Sequence, residues 1–330
     1  MNRITFTADR TALAGKPERL DAYASSVEGI SRSRLKNGVT SITVNGRQAK
    51  LSSKLSGGET VEILWDDPVP ENIVPEDIPL DVIYENKDVL VINKKQGMVV
   101  HPAAGNWSGT LVNALLFRWG MSAVTADELT DSTKAPGSLS DAARPGIVHR
   151  LDKDTSGLII CGKTRAAVEE LQKQFQSRHV YKEYIAIVKG KPPFPAGEIK
   201  TQIVRDPSDR KRFVARTGTA EGKFAWTKYQ CVATYGPYSL MRLCLKTGRT
   251  HQIRVHMKYI NCPIVGDPIY SRKDGLFDSA TLMLHSRKMA IRLPGADEFS
   301  TFEAPVPRRF KKVMRVLHEQ FGSEGEGGTQ

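Results

Sequence analysis

The sequence predicts an α+β protein: a large domain on a mixed, largely antiparallel β-sheet with flanking helices, preceded by a small α+β domain. Three observations carry that expectation. Strand-like runs recur along most of the chain, while helical spacing of apolar residues is confined to a few short stretches. A proline-rich acidic stretch at 66–76, DDPVPENIVPE, reads as a semi-stiff linker. The 330 residues are enough for one large or two modest domains, with a full core. Residues 1–70 then form the small domain, 71–79 the linker, 80–321 the large domain and 322–330 a disordered tail without apolar residues.

In the small domain, Arg19-Leu20-Asp21 opens an apolar-periodic stretch and residues 30–35 open a second, with Ser31 or Ser33 as its N-cap. Residues 41–46 alternate polar with β-branched side chains and end in Asn45-Gly46, a hairpin signal. A glycine turn at 57–58 leads into another strand to Trp65.

The large domain starts with strands at 82–84 and 89–93 around an Asn-Lys-Asp turn, then a helix at 110–116 capped by Thr110 or Ser108. Residues 120–143 lack any period and read as a mobile insertion with no assigned site. Residues 146–160 read as strand, loop, strand, with every charge in the loop. A helix over 165–175 places Ala167, Val168, Leu171 and Phe175 on one face. A strand follows at 180–188, then an exposed basic hairpin or loop at 197–216, strands at 226–232 and 240–246, and a turn-rich connection at 261–270. An amphipathic helix at 308–321 closes the domain.

Forty-eight basic against 36 acidic residues give a net charge of +12, which fits a polyanionic partner such as nucleic acid. No apolar run approaches the ~20 residues that span a bilayer, and the N-terminus has no signal-peptide core. A cytoplasmic protein without a membrane partner is expected. Cys161, Cys231, Cys244 and Cys262 lack C-x-x-C spacing and read as buried apolar residues in a reducing compartment. His251 and His256 lie five apart without a third ligand, so no metal site is expected.

The most charged loop, His149-Arg150-Leu151-Asp152-Lys153-Asp154-Thr155-Ser156-Gly157, is by composition alone either a site of chemistry or an inert Asx-type turn. It resembles the signature loop of the RluA/RluD-type pseudouridine synthases. Residues 247–256, TGRTHQIRVH, resemble that family's second block, and Lys182-Glu183-Tyr184 its K-x-Y motif. Residues 282–286 and 302–305 resemble its closing motifs, so the likeness runs over about 13–306. Lys95 departs from the family's K-P-x-G.

The resemblance implies the pseudouridine synthase fold and an isomerase that converts uridine in RNA to pseudouridine, most like the large-subunit rRNA branch. It makes Asp152 the catalytic carboxylate, paired with Arg254, and Tyr184 the residue that stacks on uracil and relays a proton. Whether Asp152 adds to C1′ or assists a glycal route stays open. Arg150 would fill the gap left by the flipped base and Arg249 would bind phosphate. The small domain resembles an S4 RNA-binding domain whose Arg32, Arg34, Lys36 and Arg47 would grip the RNA backbone, with Glu59 in place of the usual aspartate. The reaction involves no redox change and no net hydrolysis, so no cofactor is implied. The expected partner is RNA, ribosomal or alternatively transfer RNA, within a large-subunit precursor, bound by a monomer.

Two rival readings frame this one. A non-catalytic ribosome-assembly factor on the same fold would be indicated by loss of Asp152, Tyr184 or Arg254, and all three are present. A glycosidase using Asp152 and Asp154 fails because side chains two apart in a strand lie ~7 Å apart on one face, with no sugar-binding aromatic platform around them.

Overall fold

The computed structural model describes residues 2–11, 13, 16–28, 35, 39–65, 72–103, 106–124, 146–209 and 211–322. They divide into two compact units, with the break between Asn72 and Ile73.

The first unit contains β1 (Asn2–Thr7), β2 (Glu18–Arg19), α1 (Leu20–Ser26), β3 (Val39–Val44), β4 (Arg47–Gln48), β5 (Lys54–Leu55) and β6 (Thr60–Trp65). Its sheet runs β1-β6-β3-β4, all antiparallel, and β2 pairs with β5. Asn45 and Gly46 both take positive φ between the paired residues Val44 and Arg47, the two-residue turn that Asn-Gly favours. Leu20, Tyr23 and Ala24 of α1 bury against Ile42, Val61 and Ile63. The Glu59 carboxylate accepts the Ser56 and Gly57 N–H groups at 2.9 and 2.7 Å, so glutamate closes this turn as a shorter acid would. Arg47 is exposed on β4. Arg32, Arg34 and Lys36 lie outside the described residues.

The second unit contains β7 (Val82–Glu85), β8 (Val89–Lys94), α2 (Leu111–Arg118), β9 (Ser156–Gly162), α3 (Arg165–Gln176), β10 (Tyr181–Lys189), β11 (Ala196–Arg205) and β12 (Phe213–Arg216). It continues with β13 (Lys223–Tyr235), β14 (Tyr238–Leu245), α4 (Gln252–Tyr259), β15 (Leu284–Arg292), β16 (Phe299–Glu303) and α5 (Arg308–Phe321). Among the described residues, a ten-stranded sheet runs β12-β11-β13-β14-β10-β15-β9-β8-β7, with β16 also on β15. Its one parallel contact joins β15 to β9 through His285–Ser156 and Ser286–Gly157. The mixed, largely antiparallel α+β architecture is the one the sequence predicts.

Burial explains the composition of each element. Every residue of β9 is buried. Leu158 and Ile160 face Leu171 of α3, and Ile159 and Cys161 face Leu111 and Leu115 of α2, so alternate side chains serve two helices. Thr110 caps α2 reciprocally: its backbone N–H donates to Asn113 Oδ1, and its hydroxyl accepts the Asn113 N–H. On the other half of the sheet, Ile253 and Met257 of α4 and Phe310 and Leu317 of α5 belong to one core with Ala186, Met241 and Leu243.

Several expectations need correction. The residues read as linker at 71–79 are, from Ile73 on, part of the second unit: Ile73 is fully buried, bridges Val124, and the Glu76 N–H donates to the Asn113 carbonyl. Proline keeps this stretch extended, and its carbonyls and apolar side chains still find partners. The first strand expected within 146–160 is a single bridge, Ile147 to Cys161. The 197–216 segment is a hairpin, and its first arm β11 is an integral strand with Ile199, Ile203 and Val204 buried. Only Cys161 and Cys262 are buried; Cys231 and Cys244 are half-exposed. Residues 125–143 of the insertion and 323–330 of the tail lie outside the described residues.

Candidate active site

A pocket of about 510 Å³ opens over the junction of β10, β14, α4 and the loop before β9. Asp152, Tyr184 and Arg254, drawn from three distant segments, all line it. Arg150 and Arg249 line it as well.

The loop carrying Asp152 is held from both sides. The buried Lys94 ammonium donates to the Lys95, Met98 and Lys153 carbonyls at 3.0, 2.9 and 3.1 Å. Gln96 Nε2 donates to the Asp154 and Leu282 carbonyls, and the Gly97 N–H to the Lys153 carbonyl. Burial pushes Lys94 down to about 7, while the charges of Asp152 and Asp154 hold it up. The three bonds it donates need all three hydrogens of the charged form. From behind, Arg309 of α5 donates at 2.6 Å to the Ser156 hydroxyl, which lies 2.8 Å from His285 Nδ1. Burial lowers His285 to about 4, so the ring is neutral and can accept the hydroxyl proton. His149 is likewise held neutral, lowered to about 3 by burial and the Lys182 charge; its Nε2 accepts the Ile160 N–H and its ring stacks on Phe175.

Gly157 is the hinge of this arrangement. Its φ is +112°, and a Cβ there would lie 2.2 Å from the Ser286 carbonyl oxygen. Only glycine lets β9 come close enough to β15 at this point.

Arg254 projects from the buried face of α4 and meets two carboxylates. Nε and Nη2 donate to Asp267 at 2.8 and 2.9 Å, and Nη1 donates to Asp152 Oδ2 at 3.1 Å. The expected Asp152–Arg254 pair therefore forms, but the bidentate contact belongs to Asp267. Asp267 also accepts the Ile269 and Tyr270 N–H groups at 2.9 and 3.0 Å. Burial opposes the Arg254 charge, and the bonds and charges of Asp267 and Asp152 outweigh it, so its pKa moves up. Side-chain exposure falls from 19% at Asp152 to 5% at Arg254 and 0% at Asp267, so the outermost carboxylate alone can meet a ligand. Asp152 Oδ1 accepts no hydrogen bond among the described residues.

Tyr184 is a buried β10 residue in the pocket wall. Burial pushes its phenol up to about 12, the nearby Ser286 side chain opposes that shift, and the Asp152 charge adds to it. It is a neutral donor throughout the physiological range. His251, at the N-cap of α4 with φ 55°, has Nε2 3.9 Å from Asp152 Oδ2 and Nδ1 2.9 Å from the Tyr270 hydroxyl. That arrangement suits the Nε2–H tautomer, which turns a proton toward Asp152. His256 is fully buried, with Thr201 and Thr227 hydroxyls 3.0 and 2.8 Å from its two ring nitrogens, which leaves no nitrogen for a metal.

Asp267, Lys94, Gln96, His251 and Arg309 were not assigned roles from the sequence. Asp267 sits in an aperiodic turn, Gly266-Asp267-Pro268, where only its being a lone carboxylate between two turn-formers marks it. Arg309 reads as one more charge on an amphipathic helix.

A family model described as RNA pseudouridylate synthase matches residues 88–259, the span that holds Asp152, Tyr184 and Arg254. Ribosomal large subunit pseudouridine synthase D of Borreliella burgdorferi is 40% identical over 312 residues, covering 92% of this chain and 90% of that protein. An uncharacterised RNA pseudouridine synthase of Bacillus subtilis is 37% identical, covering 97% and 99%. The solved structure of human RNA pseudouridylate synthase domain containing 4 matches with a TM-score of 0.54 at 25% identity, covering 72% of this chain and 93% of that one. The chain belongs to the RNA pseudouridine synthases of the RluA/RluD type. It is an isomerase that converts uridine in RNA to pseudouridine.

Proposed function

We propose that this enzyme modifies large-subunit ribosomal RNA, with Asp152 as the catalytic carboxylate. The substrate class follows from the names of relatives: the Borreliella burgdorferi protein and a 38%-identical protein of Neisseria meningitidis are both called ribosomal large subunit pseudouridine synthase D. The observation that carries the catalytic role is Asp152 Oδ1, which accepts no hydrogen bond among the described residues, on the accessible end of the Asp267–Arg254–Asp152 series.

The reaction breaks the N1–C1′ bond of uridine, turns the uracil and joins C5 to C1′. A charged carboxylate near C1′ assists departure of the base, either by adding to C1′ or by helping remove a sugar proton. Arg254 orients that carboxylate through its Nη1 bond while its Nε and Nη2 are committed to Asp267. Tyr184 offers a ring face for the extruded base and a hydroxyl that can relay a proton, taking up the one C5 loses as it passes its own on toward N1. Arg150, exposed at the pocket mouth, is placed to occupy the stack that the uridine leaves, and Arg249 to meet phosphate.

The first unit, in the same proposal, is an S4-type grip on the RNA backbone through Arg47 and the basic residues at 32–36. The enzyme works in the cytoplasm as a monomer.

The test is pseudouridine mapping by carbodiimide primer extension on total RNA from cells carrying the wild-type chain or Asp152→Asn. Stops that vanish in the variant support the reading and name the uridines. Identical maps, with RNA binding retained by both proteins, would overturn it in favour of an assembly factor.

A further inference from the structure

One end of the pocket has no role in the chemistry described so far. Its lining includes Phe175, Gln176, Arg178, Lys182 and Gly248, beyond Tyr184 on β10. Lys182 lies two residues before Tyr184 on the same strand and so on the same face, roughly 7 Å along it. Its ammonium stands 5.6 Å from the centroid of the Phe175 ring and is largely enclosed. Lys182 has no carboxylate and no hydrogen-bond partner among the described residues. Burial lowers its pKa to about 8. The fold keeps a half-buried lysine without a partner among the described residues, which disfavours folding unless a ligand meets the charge.

Arg178 carries an independent sign of the same kind. It is the residue after the C-cap Ser177 of α3, and the chain closes there in a Schellman turn: the Arg178 N–H bonds the Phe175 carbonyl and the His179 N–H the Gln174 carbonyl. That position takes a left-handed backbone, and Arg178 has φ +62°. Glycine is the residue such a turn selects, and a side chain there costs about 1 kcal/mol. The side chain that bears this cost is a guanidinium on the pocket rim, again without a partner among the described residues. Across the gap, a Cβ on Gly248 would lie 4.0 Å from Lys182 Nζ, so the opposite wall is bare backbone.

The lining as a whole completes the picture. Arg150, Arg178, Lys182, Lys246, Arg249 and Arg254 face a pocket whose single lining carboxylate is Asp152. Arg254 is committed to Asp267 and Asp152, and Arg249 gives its Nε to the Phe224 carbonyl at 3.0 Å. Arg150, Arg178, Lys182 and Lys246 have no side-chain hydrogen-bond or ion-pair partner among the described residues, and of these Lys182 alone lies within the wall beside Phe175.

We propose that Lys182 and Arg178 form a phosphate subsite, which takes a backbone phosphodiester flanking the flipped uridine and sets how deeply that nucleotide enters. The ligand is an anionic oxygen pair of the RNA backbone: a compact ammonium inside the wall meets one oxygen and the rim guanidinium meets the other. The inference rests on the reading of this pocket as the RNA site.

The experiment uses the full chain and a short stem-loop RNA that the wild-type enzyme converts, together with the same RNA carrying a single methylphosphonate at each phosphate near the target. Kd, its salt dependence, KM and kcat are measured for wild type, Lys182→Met and Arg178→Gly. Lys182→Met is expected to raise Kd about tenfold and lower the salt slope by about one, with the larger part of the loss in KM. Arg178→Gly is expected to weaken binding several-fold while raising Tm, because glycine relaxes the left-handed turn; a purely structural arginine would change Tm alone. One neutral methylphosphonate should weaken binding to wild type and cause no further loss in Lys182→Met. The proposal is overturned if both variants bind RNA with wild-type affinity and salt slope, or if every methylphosphonate weakens wild type and Lys182→Met equally. Failure of the RNA reading itself looks different: the wild-type chain would convert no uridine in any RNA offered.

Discussion

Arg254 gives two of its guanidinium nitrogens to Asp267 and only one to Asp152. The innermost carboxylate, with no exposure, anchors the arginine, and the outer one is partly exposed and gives it a single oxygen. Anchoring and chemistry are thus divided between two aspartates that a single bidentate pair would have merged.

Asp267→Asn and Asp152→Asn should therefore fail in different ways. The first puts an amide where the guanidinium needs an acceptor and leaves a buried cation half-paired. It should cost about 3–5 kcal/mol in stability and lower kcat with it. The second leaves the Arg254–Asp267 pair intact, so its stability should stay within about 1 kcal/mol of wild type while turnover disappears. Thermal melts and single-turnover assays on both proteins check this; a fully stable Asp267→Asn would contradict the anchoring role.

Gly157→Ala should break the parallel contact of β9 with β15. The new Cβ meets the Ser286 carbonyl at 2.2 Å, and φ +112° strains any side chain. The expected loss is about 3 kcal/mol, seen as a lower Tm, with activity reduced because the Asp152 loop ends at this residue.

Tyr184→Phe keeps the ring and removes the hydroxyl. Because the phenol is pushed up to about 12, no ionisation of Tyr184 enters the pH–rate profile between pH 5 and 9. RNA affinity should hold and kcat should fall by about 10²-fold, the usual worth of a placed proton donor. Unchanged kcat would reduce Tyr184 to a stacking platform.

Lys182 makes stability depend on pH with a defined sign. Its folded pKa of about 8 lies below the unfolded value of 10.5, so between those limits unfolding takes up a proton. Wild-type stability from this group is complete above pH 10.5 and is lost as pH falls to 8. The groups that face it are the neutral His149, Tyr184 and Arg178, none of which supplies a compensating negative charge. Lys182→Met should melt higher than wild type at pH 7, with the difference shrinking above pH 8. A constant difference across that range would show that folding does not lower the pKa of Lys182.

Removing residues 1–70 leaves the Ile73–Val124 bridge in place, so the second unit should still fold. RNA Kd should rise and its salt slope flatten, with slow turnover retained on a short stem-loop. Loss of all chemistry would contradict a first unit that only grips.

The sequence by itself determined the elements and the signature of the chemistry. Asn45-Gly46, Thr110, the 3–4 spacing from Ala167 to Phe175 and the amphipathic run 308–321 specify turns, caps and helices through contacts within a few residues. The resemblance of the Asp152 loop, the Tyr184 strand and the Arg254 block picks out three residues that the fold brings into one pocket. Only the tertiary structure decided what those residues meet. Asp267 lies 13 positions from Arg254, Arg309 lies 153 from Ser156, and Lys94 lies 59 from Lys153. Contacts of that span leave no period in the chain. They arise because the strands and their covering helices bring such residues into one low-dielectric space, where a buried charge without a partner is costly.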